Sequence, residues 1–156
     1  MKTVAKVSAG VGIGAAVGLA LPLVASFEGL YTKAYRDPVG VVTVCYGETE
    51  GVKMGDKYSP QECADMLAKK LPRYANEIAR CIKVPISDKT RGAFISFAYN
   101  VGSGAFCRST LLKKLNAGKT HDACDGLMAW NRAGGRVFAG LTRRRAAERA
   151  MCLEGI

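Results

Sequence analysis

The first strong pattern along the chain is an uncharged run, Val7 to Ser26, preceded by Lys2 and Lys6. A helix of about 20 residues crosses the hydrocarbon core of a bilayer, and this run is 20 residues long. Eleven of the 20 are Gly, Ala or Ser, so the run is apolar only weakly. Leu19, Leu23 and Phe27 recur at four-residue spacing, which predicts that its second half forms a helix leading into Glu28 and packs onto the domain by that face. Pro22 interrupts that stretch, and an interior proline costs about 3 kcal/mol. A helix beginning at Pro22 would accommodate it, because proline is tolerated in a first turn.

Downstream, Thr43–Tyr46 sets β-branched and aromatic residues between Gly40 and Gly47, which predicts a short hairpin. The glycine-rich, charged stretch Glu48–Lys57 reads as loop. Ser59-Pro60-Gln61-Glu62 is a capping box with proline at the first helical position, so a helix starts there and runs toward Cys81. Pro72 is a point of break or kink within it. After a break at Pro85–Lys89, Ala93, Phe94, Phe97 and Ala98 mark a buried helix face. Thr120, with Asp122 in the first turn, is expected to cap a helix reaching Trp130. Trp130 reads as core rather than as a platform for sugar, and Arg143-Arg144-Arg145 as a solvated helix face. The elements make an α+β chain, mostly helical, of one-domain size at 156 residues.

Charge and cysteines narrow the class. A formal net charge of +10 suits nucleic acid, anionic lipid or an acidic cell wall. No zinc-ligand spacing, RNA-binding signature or basic region joined to heptads is present, so nucleic acid is not an expected partner. The cysteines, Cys45, Cys63, Cys81, Cys107, Cys124 and Cys152, are six in number. With an export segment upstream they point to an oxidising compartment and a disulfide framework. Six cysteines allow 15 pairings; placing successive elements side by side gives Cys45–Cys63, Cys81–Cys107 and Cys124–Cys152. Without a Cys-x-x-Cys unit, and with His121 as the single histidine, neither a metal centre nor a cysteine nucleophile is expected. No cofactor is implied.

Glu28, Asp37 and Thr43 carry the candidate chemistry. Two carboxylates and a hydroxyl around one substrate are the minimal kit for hydrolysing a glycosidic bond. One acid must donate a proton to the leaving oxygen; the other must be ionised to activate or steady water. Glu28 lies between Phe27 and Leu30 at the end of the apolar run, a setting that favours its protonated form. Asp37 lies in the polar turn Tyr-Arg-Asp-Pro-Val-Gly with a cation beside it. Spacing alone is weak support, since most acidic residues nine apart are solvated surface.

The stretch Phe27–Thr49 resembles the active-site segment of the phage-type lysozymes, the family of T-even phage lysozyme. It supplies Glu28-Gly29, Tyr35-Arg36-Asp37, Gly40 and Thr43-Val44-Cys45-Tyr46-Gly47. Phe94–Phe106 is similar to the family's central helix and following turn, and Trp130–Arg136 with Gly140–Arg145 to its C-terminal segment. Many members carry His where this chain has Glu48. The resemblance implies a small β-hairpin lobe, a larger helical lobe and a cleft between them. It implies an endolysin that cuts the β-1,4 bond between N-acetylmuramic acid and N-acetylglucosamine in peptidoglycan. Glu28 is then the general acid, and Asp37 and Thr43 position the water. Inversion follows if the carboxyls stand on the order of 6.5–9.5 Å apart. Asn100, Ser109 and Asn131 are expected to line the cleft, and the released enzyme to be a monomer. Two alternatives are a lytic transglycosylase, which needs only the acid, and a membrane-tethered wall-binding protein without turnover.

Three readings of the N-terminal run compete: a signal cleaved near Val24-Ala25-Ser26, a permanent anchor, and a retained segment that later leaves the bilayer. Cleavage after Ser26 would leave Glu28 second in a fraying chain end. The retained reading resembles the signal-arrest-release endolysins. It makes residues 1–26 a releasable membrane signal-anchor and 27–156 the catalytic domain. Residues 7–26 would hold the host inner membrane with the N-terminus cytoplasmic, before action in the periplasm. Gly10, Gly14 and Gly18 form a Gly-x-x-x-Gly ladder, read as chance recurrence in a glycine-rich run rather than as a helix-packing face.

Overall fold

Ala16, Ala20 and Val24 form the fully buried stripe of the first helix, α1 (Ala9–Glu28). The computed structural model describes residues 9–156, with side chains placed from residue 13 onward. Lys2 and Lys6 lie outside the described residues. The expected Leu19–Leu23–Phe27 face is only half-buried, flanking the small-residue stripe. The reason is the close crossing with α3 (Asp88–Val101): a Cβ at Gly92 would stand 3.1 Å from the Ala16 carbonyl oxygen and 3.3 Å from Leu19 Cβ. Interaxial distance follows the size of the side chains at the contact, and only small ones fit here. Pro22 lies inside α1 rather than at its start. It is exposed, as is Gly18 one turn earlier, so water can replace the hydrogen bond that the missing N–H removes. Among the described residues no helix is long and apolar enough to cross a membrane.

The small lobe is an antiparallel pair, β1 (Tyr31–Arg36) and β2 (Val42–Cys45), with Tyr35 opposite Thr43 and Arg36 opposite Val42. Its own core is only Val44, Cys45 and Cys63. The capping box forms as expected at α2 (Pro60–Ala79): Ser59 Oγ accepts the Glu62 N–H at 3.1 Å, and Glu62 Oε1 accepts the Ser59 N–H at 3.0 Å. α2 continues without a break through Pro72, burying Cys63, Leu67, Leu71, Ala75 and Ile78 along one face.

α3 is the centre of the helical lobe, with Ala93, Phe94, Ile95, Phe97 and Ala98 wholly buried. Around it lie α1, α2, α4 (Ser103–Arg108) and α7 (Ala139–Glu154). Trp130 packs against this core, edge-on to Phe97 with ring centroids 5.2 Å apart. Two short helices, α5 (Thr110–Asn116) and α6 (Thr120–Gly126), precede it. Thr120 is the first residue of α6, not its cap; Lys119 holds that position and makes no side-chain cap bond. α6 passes into a 3-10 turn, Leu127–Ala129, rather than reaching Trp130 as one helix. A second small hairpin, β3 (Arg132–Ala133) and β4 (Arg136–Val137), was not expected. Its turn is Gly134-Gly135, both at positive φ (56° and 78°), the conformation a tight hairpin requires.

Disulfides join Cys45 to Cys63, Cys81 to Cys107 and Cys124 to Cys152. The first ties β2 to the start of α2, and the third ties α6 to α7.

Candidate active site

Glu28 is the last residue of α1, and Gly29, at φ 75°, ends the helix behind it. Its two oxygens have different surroundings. Oε1 accepts a hydrogen bond from Arg144 Nη1 at 2.7 Å. Oε2 lies against the β2 turn, where a Cβ on Gly47 would stand 3.4 Å away. Gly47 has φ 83°, a conformation that disfavours any side chain there. The half-buried Tyr99 fixes that turn, its hydroxyl donating to the Tyr46 carbonyl at 2.7 Å. Burial first, and then the negative charge of Glu28, push the Tyr99 phenol up, against the pull of Arg144.

Asp37 and Thr43 are tied through one residue. The Val41 carbonyl accepts both the Asp37 N–H at 2.9 Å and the Thr43 hydroxyl at 3.0 Å. In return the N–H groups of Val41 and Val39 donate to Asp37 Oδ1 at 2.8 and 3.0 Å. Loop formation therefore occupies Oδ1, and the Thr43 hydroxyl spends its proton on Val41 and keeps lone pairs to accept with. Tyr35, paired with Thr43, links the two acids electrostatically: burial, Tyr31, Asp37 and Glu28 all push its phenol up.

The arginine run is not a solvated face. Arg143 is exposed, but Arg144 and Arg145 are 4% and 0% exposed. Glu28, far away in sequence, and Glu148, one helical turn further on, make that burial possible. Arg144 reaches Glu28 with Nη1, the Ser96 carbonyl with Nη2 at 3.2 Å, and Glu148 Oε2 with Nε at 3.4 Å. Arg145 Nε stands 2.9 Å from Glu148 Oε1, an ion pair outside hydrogen-bond geometry, and its Nη2 donates to Asn100 Oδ1 at 2.6 Å. Ser96 Oγ donates to Glu148 Oε2 at 2.6 Å. Burial pushes the Glu148 carboxyl up against these cations; burial and Arg144 pull Arg145 down to about 10. Sequence reading missed Arg144, Glu148, Ser96 and Tyr99, whose roles show only in contacts across the fold.

A cleft of about 670 Å³ is walled by Glu28, Arg144, Asn100, Arg143 and Phe138. Arg145 occupies the Asn100 carbonyl oxygen, which leaves the Asn100 amide N–H groups for the cleft. Asn131 is one layer back: its Nδ2 donates to Thr142 Oγ1 at 3.2 Å and its carbonyl accepts the Phe138 N–H at 2.9 Å. Ser109 does not line the cleft. It is 4% exposed and caps α5, accepting the Leu112 N–H at 3.1 Å and donating to the Phe106 carbonyl at 2.6 Å. Glu48 holds the turn to α2, pairing with Lys70 at 3.1 Å and accepting the N–H groups of Thr49 and Glu50. Among the described residues, the one group of metal-type donors is the exposed His121 and Asp122 with the half-buried Asp125, and Arg149 already holds Asp125 at 2.7 Å.

The phage lysozyme family model matches residues 25–148, which include every residue of this site. A SAR-endolysin of Bacteriophage PS119 is 49% identical over 129 residues, covering 82% of this chain and 77% of its own. Another, from Pseudomonas phage phiKMV, is 41% identical over 145 residues and 90% of each chain. Among solved structures, the endolysin from Escherichia coli O157:H7 phage FAHEc1 superposes with a TM-score of 0.80 at 30% identity, over 87% of this chain and 91% of its own. A helix ending in the cleft-wall acid, a hairpin holding the second acid and the threonine, and these likenesses lead to one assignment: the chain belongs to the phage lysozyme family of peptidoglycan-lysing enzymes.

Proposed function

We propose that Glu28 is the general acid of an endolysin that hydrolyses the β-1,4 bond between N-acetylmuramic acid and N-acetylglucosamine. The supporting observation is the asymmetry at Glu28: Arg144 holds Oε1 at 2.7 Å, while Oε2 has no such partner and can carry the proton. That proton passes to the glycosidic oxygen as its bond to the anomeric carbon breaks. Water attacks the anomeric carbon from the opposite face, Asp37 takes its proton, and the configuration inverts. Thr43 Oγ1 accepts a hydrogen bond from the same water, which aims a water lone pair at the carbon. Arg144 then balances the carboxylate left on Glu28. Asn100 offers amide donors to the sugar, and Asn131 acts by holding the Phe138 wall.

The assay is turbidity loss on permeabilised Gram-negative cells. Glu28→Gln keeps the shape of the side chain but has no acidic proton, so lysis should stop while the circular dichroism spectrum is retained. Normal lysis by that variant would refute the mechanism. Products separate the alternatives: new reducing ends mark a muramidase, anhydro-muramyl ends a transglycosylase, and no soluble fragments a binder.

Residues 1–26 serve, in the same reading, as a retained membrane signal-anchor ahead of a catalytic domain at 27–156. They hold the chain in the host inner membrane and then release it to the periplasm as a monomer. The SAR-endolysin names of its relatives support this. So does the continuity of α1 from Ala9 to Glu28, which carries most of the uncharged run into the helix that positions the acid. Mass spectrometry of the N-terminus of exported protein tests retention directly.

A further inference from the structure

Glu148 has no part in the chemistry above, yet it is a fully buried carboxylate. Its surroundings come from two helices. From α7, Arg144 Nε faces Oε2 at 3.4 Å and Arg145 Nε faces Oε1 at 2.9 Å. From α3, Ser96 Oγ donates to Oε2 at 2.6 Å. Each arginine then reaches one wall of the cleft: Arg144 to Glu28 on α1, Arg145 to Asn100 on α3. Two guanidinium groups so close together repel one another, and one carboxylate between them offsets that repulsion. Arg145 leaves Nη1 without a partner, so its orientation depends on Glu148, Asn100 and the Phe97 ring 4.8 Å away.

We propose that Glu148, locked by Ser96, is a positioning residue for catalysis: it aims Arg144 at Glu28 and Arg145 at Asn100, and limits the positive charge that the acid experiences. This rests on Glu28 being the general acid. The groups facing Glu28 are Arg144 from α7, Tyr99 from α3, Tyr35 from β1 and the Gly47 turn. Arg143 lines the same cleft but is exposed to solvent; Arg144 is the cation bonded to Glu28, and Glu148 offsets it from behind. Without the Glu148 charge, the cationic field at Glu28 grows and the acid loses its proton more readily. Glu148 also pairs with both guanidiniums at the back of the cleft, so its loss lets them move as well.

The test is the pH profile of kcat on purified peptidoglycan for Glu148→Gln and Ser96→Ala. Glu148→Gln should lower kcat at neutral pH roughly tenfold or more, equivalent to about 1.4 kcal/mol. Its alkaline limb should move to lower pH, because a general acid works only while protonated. Ser96→Ala should shift the limb in the same direction by less, since Glu148 keeps its charge but loses its fixed orientation. A merely structural residue would lower the melting temperature and leave the limb in place. If Glu148→Gln does not fold, Ser96→Ala decides. A folded variant whose limb overlays the wild type overturns the proposal, whatever its total activity. Turnover by Glu28→Gln would instead refute the acid assignment, whatever Glu148 does.

Discussion

Arg144 Nη1 lies 2.7 Å from Glu28 Oε1, joining two residues 116 positions apart. The contact couples the last helix to the last residue of the first. Because the same guanidinium also meets Ser96 and Glu148, geometry at the acid and stability of the core depend on one side chain.

Arg144→Met should therefore cost about 3–5 kcal/mol, since it leaves buried Glu148 short of a cation. Arg144→Lys should recover part of that stability but not the activity. An ammonium is a point donor and cannot meet Glu28, Glu148 and the Ser96 carbonyl with one planar fork. Urea unfolding and lysis rates, measured on both variants, check the split. Full activity in Arg144→Lys would show that charge alone is enough.

The parts of the site legible in the sequence are those with local signals. Glu28-Gly29 at a helix end, the Asp37 turn, the Thr43 strand and the Ser59–Glu62 box each lie within a few residues. What the chain order hides is the buried charge cluster. Whether Arg143-Arg144-Arg145 is solvated depends on Glu28 and Ser96, residues that no local window contains. The α1 packing face departs from the helical period of its large residues for a related reason. Leu19, Leu23 and Phe27 have the helical period, but Gly92 on α3 brings the backbones so close that Ala16 and Ala20 take the buried positions. Ser109 carried a local signal, a serine ahead of Thr-Leu-Leu, that marks a helix cap rather than a cleft residue.

Glu48 gives the fold a pH dependence. Burial opposes its charge, but the Glu50 N–H, the Lys70 ammonium and the Thr49 N–H outweigh burial and hold the carboxyl below its ordinary value of 4.5. The unfolded chain thus takes up this proton at higher pH than the folded one. Its contribution to stability is complete above the ordinary value and is lost as pH falls through the lowered folded value. Wild type should be more stable than Glu48→Gln at neutral pH, and the gap should close as the pH drops below about 4.5. Thermal unfolding at a series of pH values measures it. A gap that stays constant into acid would show that the Lys70 pair contributes nothing.

The three disulfides should differ in what they protect. Each closes a loop of similar length, with separations of 18, 26 and 28 residues, so each loss should cost about 2–5 kcal/mol. Cys45–Cys63, however, holds the strand of Thr43 to α2, in a lobe whose own buried core is Val44 and these two cysteines. Cys45→Ser with Cys63→Ser should reduce turnover at temperatures where the protein is still folded. Cys124→Ser with Cys152→Ser should reduce the melting temperature and spare turnover. Thiol titration of native protein should find no free cysteine. Equal loss of turnover in the two double variants would remove the distinction.

Release from the membrane should respond to the membrane potential. In the proposed orientation, with the N-terminus in the cytoplasm, the terminal amine, Lys2 and Lys6 must move outward against the field when the segment leaves. The cost is about 2.3 kcal/mol per charge per 100 mV, or roughly 7 kcal/mol for three charges. The bilayer's own hold on Val7–Ser26 is modest, because 11 of its 20 residues are Gly, Ala or Ser. An uncoupler should therefore move the protein from the membrane to the soluble fraction and start lysis. Gly14 and Gly18 allow a clean control. Both face open space on α1, with nothing within 4 Å of where a Cβ would stand, so leucine there need not disturb the released fold. In the bilayer the same leucines deepen insertion. Gly14→Leu with Gly18→Leu should stay in the membrane fraction after uncoupling, and yet lyse permeabilised cells normally once extracted and refolded. If wild type stays bound after depolarisation, or the double variant leaves equally fast, the potential does not hold the enzyme in place.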